Sequence, residues 1–195
     1  MKHAISAILL GILSFVSQAV AGNLGDDAKV SAQSPALKTR NILLVTTDGL
    51  RWQEVFHGAD KSLMTKKEGG VSNVDALTRK YWRESEDERR AALMPFLLGE
   101  VAKRGQLYGN FDRKSEAKVT NGKNFSYPGY NEIFTGKGDP RIDSNDKIPN
   151  PNVTVFEWLA GKSEFQGKVA AFGSWDVYPF ILNRERAKIV VNAGY

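Results

Sequence analysis

Apolar and polar positions alternate along the chain in blocks. The first block, "AISAILLGILSFV" (Ala4–Val16), follows the short positive start "MKH" and precedes "AVA" (Ala19, Val20, Ala21). A positive start, an apolar run too short to span a bilayer comfortably and a small-x-small site make a secretory signal, assigned to Met1–Ala21. The next stretch, residues 22–39, is small and polar and reads as a flexible lead-in. "NILLVTTDG" (Asn41–Gly49) is a short apolar run closed by a turn, the pattern of a strand buried on both faces. Asp48 stands at its carboxyl end, where open α/β sheets bind ligands.

Further along, the spacing predicts a charged-faced helix over Asp75–Arg90 and a helix in "MPFLLGEVAKRG" (Met94–Gly105), with Pro95 in its first turn and Gly105 as its stop. "QLYGNF" and the region of "AKVT" have strand character. A helix is expected from about Thr154 to Gly161, with Asn150 or Asn152 ahead of it as a cap. Short strands are expected at Lys168–Phe172 and in "AKIVVNAGY" (Ala187–Tyr195). Strands alternating with helices argue for an α/β fold with a mostly parallel sheet flanked by helices. A parallel strand needs a crossover to cover its face, so a final strand-like run leads us to expect a parent fold that is longer than these residues.

Composition narrows the chemistry. The chain has 195 residues, about one domain on a prior of roughly 150 residues. It has no cysteine, so disulfides, zinc–thiolate sites and a cysteine nucleophile are excluded. Any metal would need oxygen and nitrogen ligands. The net charge of +5 is spread, and "RESEDERR" (Arg83–Arg90) alternates in sign. A clustered basic stripe with interleaved aromatics is lacking, so no nucleic-acid binding surface is expected. With the signal removed, no stable membrane span is expected, and the protein is expected in the periplasm or secreted.

The stretch "NGKNFSYPGYNEIFTG" (Asn121–Gly136) raises the functional question. Pro128 fits the first position of a helix running to Gly136. Ser126 would then stand just ahead of a helix N-terminus, where free N–H groups and the dipole favour an anion. A serine needs a base or a metal to become a nucleophile. The chain has two histidines, and His3 lies in the signal, which leaves His57. His57 reads as a loop residue, and G-x-S-x-G is absent, so a serine esterase using His57 is a minor alternative. A metal shared by Asp48 and Ser126 is the other route. The plain alternative is that Ser126 starts a turn and Asp48 caps a strand.

"NILLVTTDGLRW", followed some eighty residues later by "FSYPGYNEIFTG", resembles the alkaline phosphatase superfamily, in its nucleotide pyrophosphatase/phosphodiesterase-like branch, N-terminal half only. The resemblance runs from about Arg40 to the C-terminus. It implies that residues 40–195 are the N-terminal part of an alkaline-phosphatase-like α/β domain. It implies metal-dependent hydrolysis of phosphoesters, with Asp48 a metal ligand and Ser126 the metal-bound nucleophile. Pro128, Thr135 and Gly136 match the family pattern. An asparagine downstream of the nucleophile would hold a phosphoryl oxygen, which implies Asn145; Asn131 is a further polar candidate, while Asn150 and Asn152 suit turns and caps. The implied cofactor is a divalent metal, two zinc ions in the complete fold, and the implied partner is a phosphorylated small-molecule substrate. The remaining Asp and His ligands belong to the family's second half. Asp176 has no ligand role in the pattern and would shape a pocket with Trp175. Where the family commonly has "PNH", this chain has "PGY". Sulfatases of the superfamily need C/S-x-P-x-R, and the fifth residue here is Tyr130, so a sulfatase-like hydrolase is a lesser alternative. An inactive remnant or binding protein is another, because the second-half ligands are missing from these residues.

Overall fold

Tyr127, Tyr130 and Phe134 recur at i, i+3 and i+7, and this one stripe organises the centre of the molecule. In the computed structural model, which describes residues 39–194, the stripe lies on helix α6 (Ser126–Thr135) and is buried. The expected signal peptide (Met1–Ala21), most of the expected lead-in and Tyr195 lie outside the described residues. Nine short helices are named in chain order. They are α1 (Trp52–His57), α2 (Lys66–Gly69), α3 (Val74–Tyr81), α4 (Glu86–Leu93), α5 (Ala102–Arg104), α6, α7 (Val155–Ala160), α8 (Tyr178–Ile181) and α9 (Arg184–Ala187). Two strands, β1 (Ala170–Phe172) and β2 (Val190–Asn192), pair in parallel, Ala170 opposite Val190 and Phe172 opposite Asn192. The result is a mixed helical fold around a small parallel sheet, compatible with the α/β class. Among the described residues no helix is long and apolar enough to cross a membrane.

The main core joins α6 to α7, α8 and the inner face of the sheet. Tyr127, Tyr130, Phe134, Ile142, Val177, Ile181, Leu182, Ala187 and Ile189 form it, with Phe156, Val169, Ala171 and Val191 packed against it. Phe134 meets Phe156 edge-on at 5.1 Å, and Tyr130 meets Tyr178 at 5.1 Å. Ile181 and Leu182 are fully buried, and each such side chain contributes about 1.5–3 kcal/mol relative to exposure. Gly173 makes room for this packing: a Cβ there would stand 2.8 Å from the Tyr178 ring. A second, smaller cluster under α1 and α4 holds Val55 and Phe56. Nearby, Trp82 lies beneath the Arg89 guanidinium, 4.7 Å from ring centre to Cζ.

Buried amides tie the main core to its loops. Asn131 and Asn150 are fully buried, and Asn150 Nδ2 donates to Asn131 Oδ1 (3.1 Å) and to the Ile181 carbonyl (3.0 Å). Asn150 Oδ1 accepts from the Asn152 N–H (2.9 Å), and Asn152 Nδ2 donates to Asp139 (2.8 Å) and Asn131 (3.2 Å). Asp139 also takes the Arg141 side chain and backbone N–H, and these bonds, with Asn152, hold its carboxyl well below the usual carboxylate range. From the far side Arg186 donates to the carbonyls of Asn150 and Asn152 while paired with Glu157.

Several local expectations are corrected. Asn41–Gly49 is not a paired strand: Ile42, Leu43 and Val45 are 71%, 87% and 68% exposed. A strand is stable only where a neighbour takes its N–H and C=O groups, and none among the described residues does. Asp75–Arg90 is not one helix. It divides into α3 and α4 because Ser85 starts a new helix as its N-cap, its Oγ accepting from the Glu88 N–H and donating to Glu88 Oε2. Met94–Gly105 contains a π-helical stretch, Leu97–Val101, before α5 ends at Gly105. "QLYGNF" and "AKVT" are not strands, although Phe111 opens a short 3₁₀ turn, Phe111–Arg113. Thr154, not Asn150 or Asn152, caps α7 by accepting from the Glu157 N–H. The two expected C-terminal strands form, shortened to three residues each.

Asn150→Ala removes two buried donors and one acceptor, each lost bond leaving a group unpaired at about 1–3 kcal/mol. We expect a loss of about 3 kcal/mol in urea denaturation; a loss under about 0.5 kcal/mol would show that the amide cluster does not hold these elements together.

Candidate functional site

Helix α6 begins two residues earlier than its proline signals. Ser126 is the first helical residue, Phe125 the N-cap, and Pro128 the third helical residue rather than the first. The proline is tolerated because the N–H groups of the first turn have no partner inside the helix, so its missing hydrogen breaks no bond. The expectation that Ser126 stands just ahead of the helix is therefore corrected: it is part of the first turn, half-buried. At the other end Gly136 closes the helix with φ +78°, a left-handed conformation that glycine adopts without strain. Thr135 Oγ1 donates to the carbonyls of Asn131 and Lys137 there.

Pro128 has no N–H, so the mouth of α6 offers the N–H groups of Ser126 and Tyr127. The Tyr127 N–H is occupied by Asn145 Oδ1 at 2.9 Å. Asn145 itself is exposed on the 143–149 loop. Its amide oxygen takes the position that an anionic oxygen would take at a helix start, and its Nδ2 group adds donors beside it.

Asp48 reaches the same helix from the N-terminal side. It is exposed in the turn after the 41–47 segment. Thr46 lies against the hydroxyl of Tyr130, four residues after Ser126 on α6, and the Asp48 charge acts on that hydroxyl from nearby. Burial pushes the Tyr130 phenol above its ordinary range; bonding to Tyr178 adds to this, Thr46 opposes it, and the Asp48 charge raises it further. The structure therefore brings Asn145 to the first turn of α6, which Ser126 opens, and leaves Asp48 near the Tyr130 hydroxyl. Asn131 is absorbed into the buried amide cluster, away from solvent.

The other candidates lie elsewhere. His57 is not a loop residue; it ends α1, with Nδ1 3.0 Å from Glu86 and Nε2 3.0 Å from Asp112. Both ring nitrogens are engaged by carboxylates rather than by Ser126. Asp176 pairs with Lys147. It also lines an open depression of about 470 Å³ with Pro179, Arg184, Val191 and Asn192, which includes none of Ser126, Asn145 or Asp48.

The residues present do not by themselves fit the implied metal pair. Among the described residues no group of three or more His, Asp or Glu side chains comes together as ligands. Asp48 and the Ser126 hydroxyl are two donors, and a two-metal centre takes more.

Residues the sequence reading passed over hold the site in shape. Glu132 Oε1 accepts from the Thr120 N–H and hydroxyl (both 2.7 Å), and Oε2 from the Asn121 N–H (3.1 Å) and Nδ2 (2.7 Å). This fastens the start of the loop that delivers Ser126. Tyr127 bonds the Ile148 and Phe180 carbonyls through its hydroxyl. The i, i+3, i+7 stripe signalled Tyr127 as core; nothing local signalled its partners.

Comparison of the chain with family models, with curated proteins and with solved structures finds no match.

Burial pushes the Glu132 carboxyl up, but the four hydrogen bonds outweigh it and the group titrates below its ordinary value. A lowered folded-state value contributes stability that is complete above the unfolded value of about 4.3 and is lost as pH falls through the folded one. Protection of the Thr120 and Asn121 amides, taken relative to their intrinsic exchange rates at each pH, is expected to fall below about pH 4. Glu132→Gln, which turns one acceptor into a donor facing donors, is expected to accelerate their exchange by about tenfold at pH 7. Equal exchange in both proteins at pH 7 would show that the clamp is not formed.

Proposed function

We propose that this chain carries the serine-nucleophile site of an exported phosphoester hydrolase. The kind is the metal-dependent phosphodiesterase or phosphatase of the alkaline phosphatase superfamily that its motifs resemble. In the same reading the small parallel sheet and its helices are part of an alkaline-phosphatase-like α/β domain. The observation that carries the proposal is the meeting of Ser126, the Tyr127 N–H and Asn145 at the mouth of α6. Asp48, whose charge acts on the Tyr130 hydroxyl four residues after Ser126, is compatible with it.

In this reading a phosphoryl oxygen displaces the Asn145 carbonyl from the Tyr127 N–H and accepts from that N–H and from the Asn145 Nδ2 group. Donors aimed at those oxygens stabilise the charge that grows on them. The Ser126 Oγ attacks phosphorus in line: the Oγ–P bond forms, the P–O bond to the leaving alcohol breaks, and the serine proton ends on that alcohol. Water then hydrolyses the phosphoseryl ester. The family's metals would lower the cost of ionising the serine. Asp48 would be one ligand, and the others would come from outside the described residues.

The test is release of nitrophenolate from bis(4-nitrophenyl) phosphate by the protein with zinc added. Ser126→Ala is expected to lower the rate by a factor on the order of 10³ or more, and Asn145→Ala by about 10–100-fold. Full activity in Ser126→Ala overturns the proposal. Binding of inorganic phosphate that depends on Asn145, without turnover in either protein, would make this a phosphate-binding site instead of an enzyme.

A further inference from the structure

Tyr127 touches the candidate site at both of its ends. Its N–H, at the mouth of α6, donates to Asn145 Oδ1 at 2.9 Å. Its phenol oxygen lies 2.8 Å from the Ile148 carbonyl and 3.2 Å from the Phe180 carbonyl, and the one phenolic hydrogen is shared between them. The residue is 2% exposed, so water offers the hydroxyl no alternative partner. Burial keeps the phenol in its donor form by pushing its ionisation far upward, against a smaller pull from Arg186.

The segment from Asn145 to Ile148 has few other bonds, one being from the Asp146 N–H to Ser144 Oγ at 3.3 Å. All four residues are exposed. The Ile148 N–H returns to the Asp146 carbonyl at 2.8 Å, and Lys147 pairs with Asp176 at the surface, a contact that water and salt weaken. The two ends of this short segment are thus fastened to two ends of one buried residue. Phe180, the third partner, joins the same anchor to α8, where its carbonyl also accepts from the Asn150 N–H at 2.9 Å.

We infer that Tyr127 is a positioning residue: its hydroxyl, by holding Ile148, sets where the Asn145 amide stands over the first turn of α6. The inference rests on the reading of Asn145 as the group that receives a phosphoryl oxygen. A binding amide must be held within about 0.5 Å of its working position. An exposed segment of four residues does not hold itself so closely, whereas a buried anchor at the far end does. A role for the hydroxyl in chemistry is excluded by its place, since it points at two carbonyls and away from Ser126's end of the residue.

The experiment uses Tyr127→Phe, which keeps the ring and the backbone N–H and deletes only the hydroxyl. Amide hydrogen exchange at position 127 reports whether Asn145 is in place. It is expected to accelerate by about tenfold in Tyr127→Phe and in Asn145→Ala. Tyr130→Phe, which deletes another buried hydroxyl from the same helix, is expected to leave that exchange within about twofold. With zinc and bis(4-nitrophenyl) phosphate, kcat/KM is expected to fall by about tenfold in Tyr127→Phe. The double variant is expected to be no slower than Asn145→Ala alone, because the hydroxyl acts only through that amide. Unchanged exchange in Tyr127→Phe overturns the inference whatever the activity does. Losses that multiply in the double variant also overturn it. Accelerated exchange in a protein whose wild type has no turnover upholds the positioning role and overturns the phosphoester reading instead.

Discussion

The hydrogen bond between Asn150 and Asn131 holds the rest of the structure in register. Both side chains are fully buried, and Asn150 also bonds the Ile181 carbonyl and the Asn152 N–H. Through them α6, the 139–152 loop and the end of α8 meet at one point. Asn183 and Arg186 close the far side on the Asn150 carbonyl. A buried amide without partners is costly, and a complete network admits one arrangement of its members. The loop is therefore placed on α6 by polar geometry as well as by apolar burial.

That placement has a chemical consequence at the opposite end of the helix. The 139–152 loop is anchored at its close by the amide cluster and near its middle by Tyr127. Asn145, just ahead of these anchors in the chain, is held at the mouth of α6 although it is itself exposed. Glu132 performs the corresponding task for the loop that precedes Ser126. Helix α6 is thus a bar to which both approaches to the candidate site are fastened, one by its acidic side chain and one by its tyrosine.

The apolar segment Ile42–Val45 behaves differently. Its composition is that of a buried strand, yet three of its four side chains are more than two-thirds exposed and its backbone is unpaired among the described residues. Apolar character expresses a preference for burial; hydrogen-bonded neighbours decide whether a strand exists. Thr46, at the end of the segment, lies against the buried Tyr130 through its hydroxyl.

Much of the helical framework was legible in the residues. The stripe Tyr127, Tyr130, Phe134 and the stop at Gly136 define α6, and Thr154 with Gly161 bounds α7, because these signals act over one turn of chain. The two parallel strands were legible too, from the short apolar runs that became β1 and β2. The division of Asp75–Arg90 was written in Ser85 and Glu88, a capping pair that the charge alternation masked. Tertiary structure alone decided the rest. That Asn145 meets the Tyr127 N–H, that Asn131 is buried instead of facing a ligand, and that His57 is held between Glu86 and Asp112 depend on residues distant in sequence. A side chain's type states which bonds it can make; which of them it does make is set by what the folded chain brings within about 3 Å.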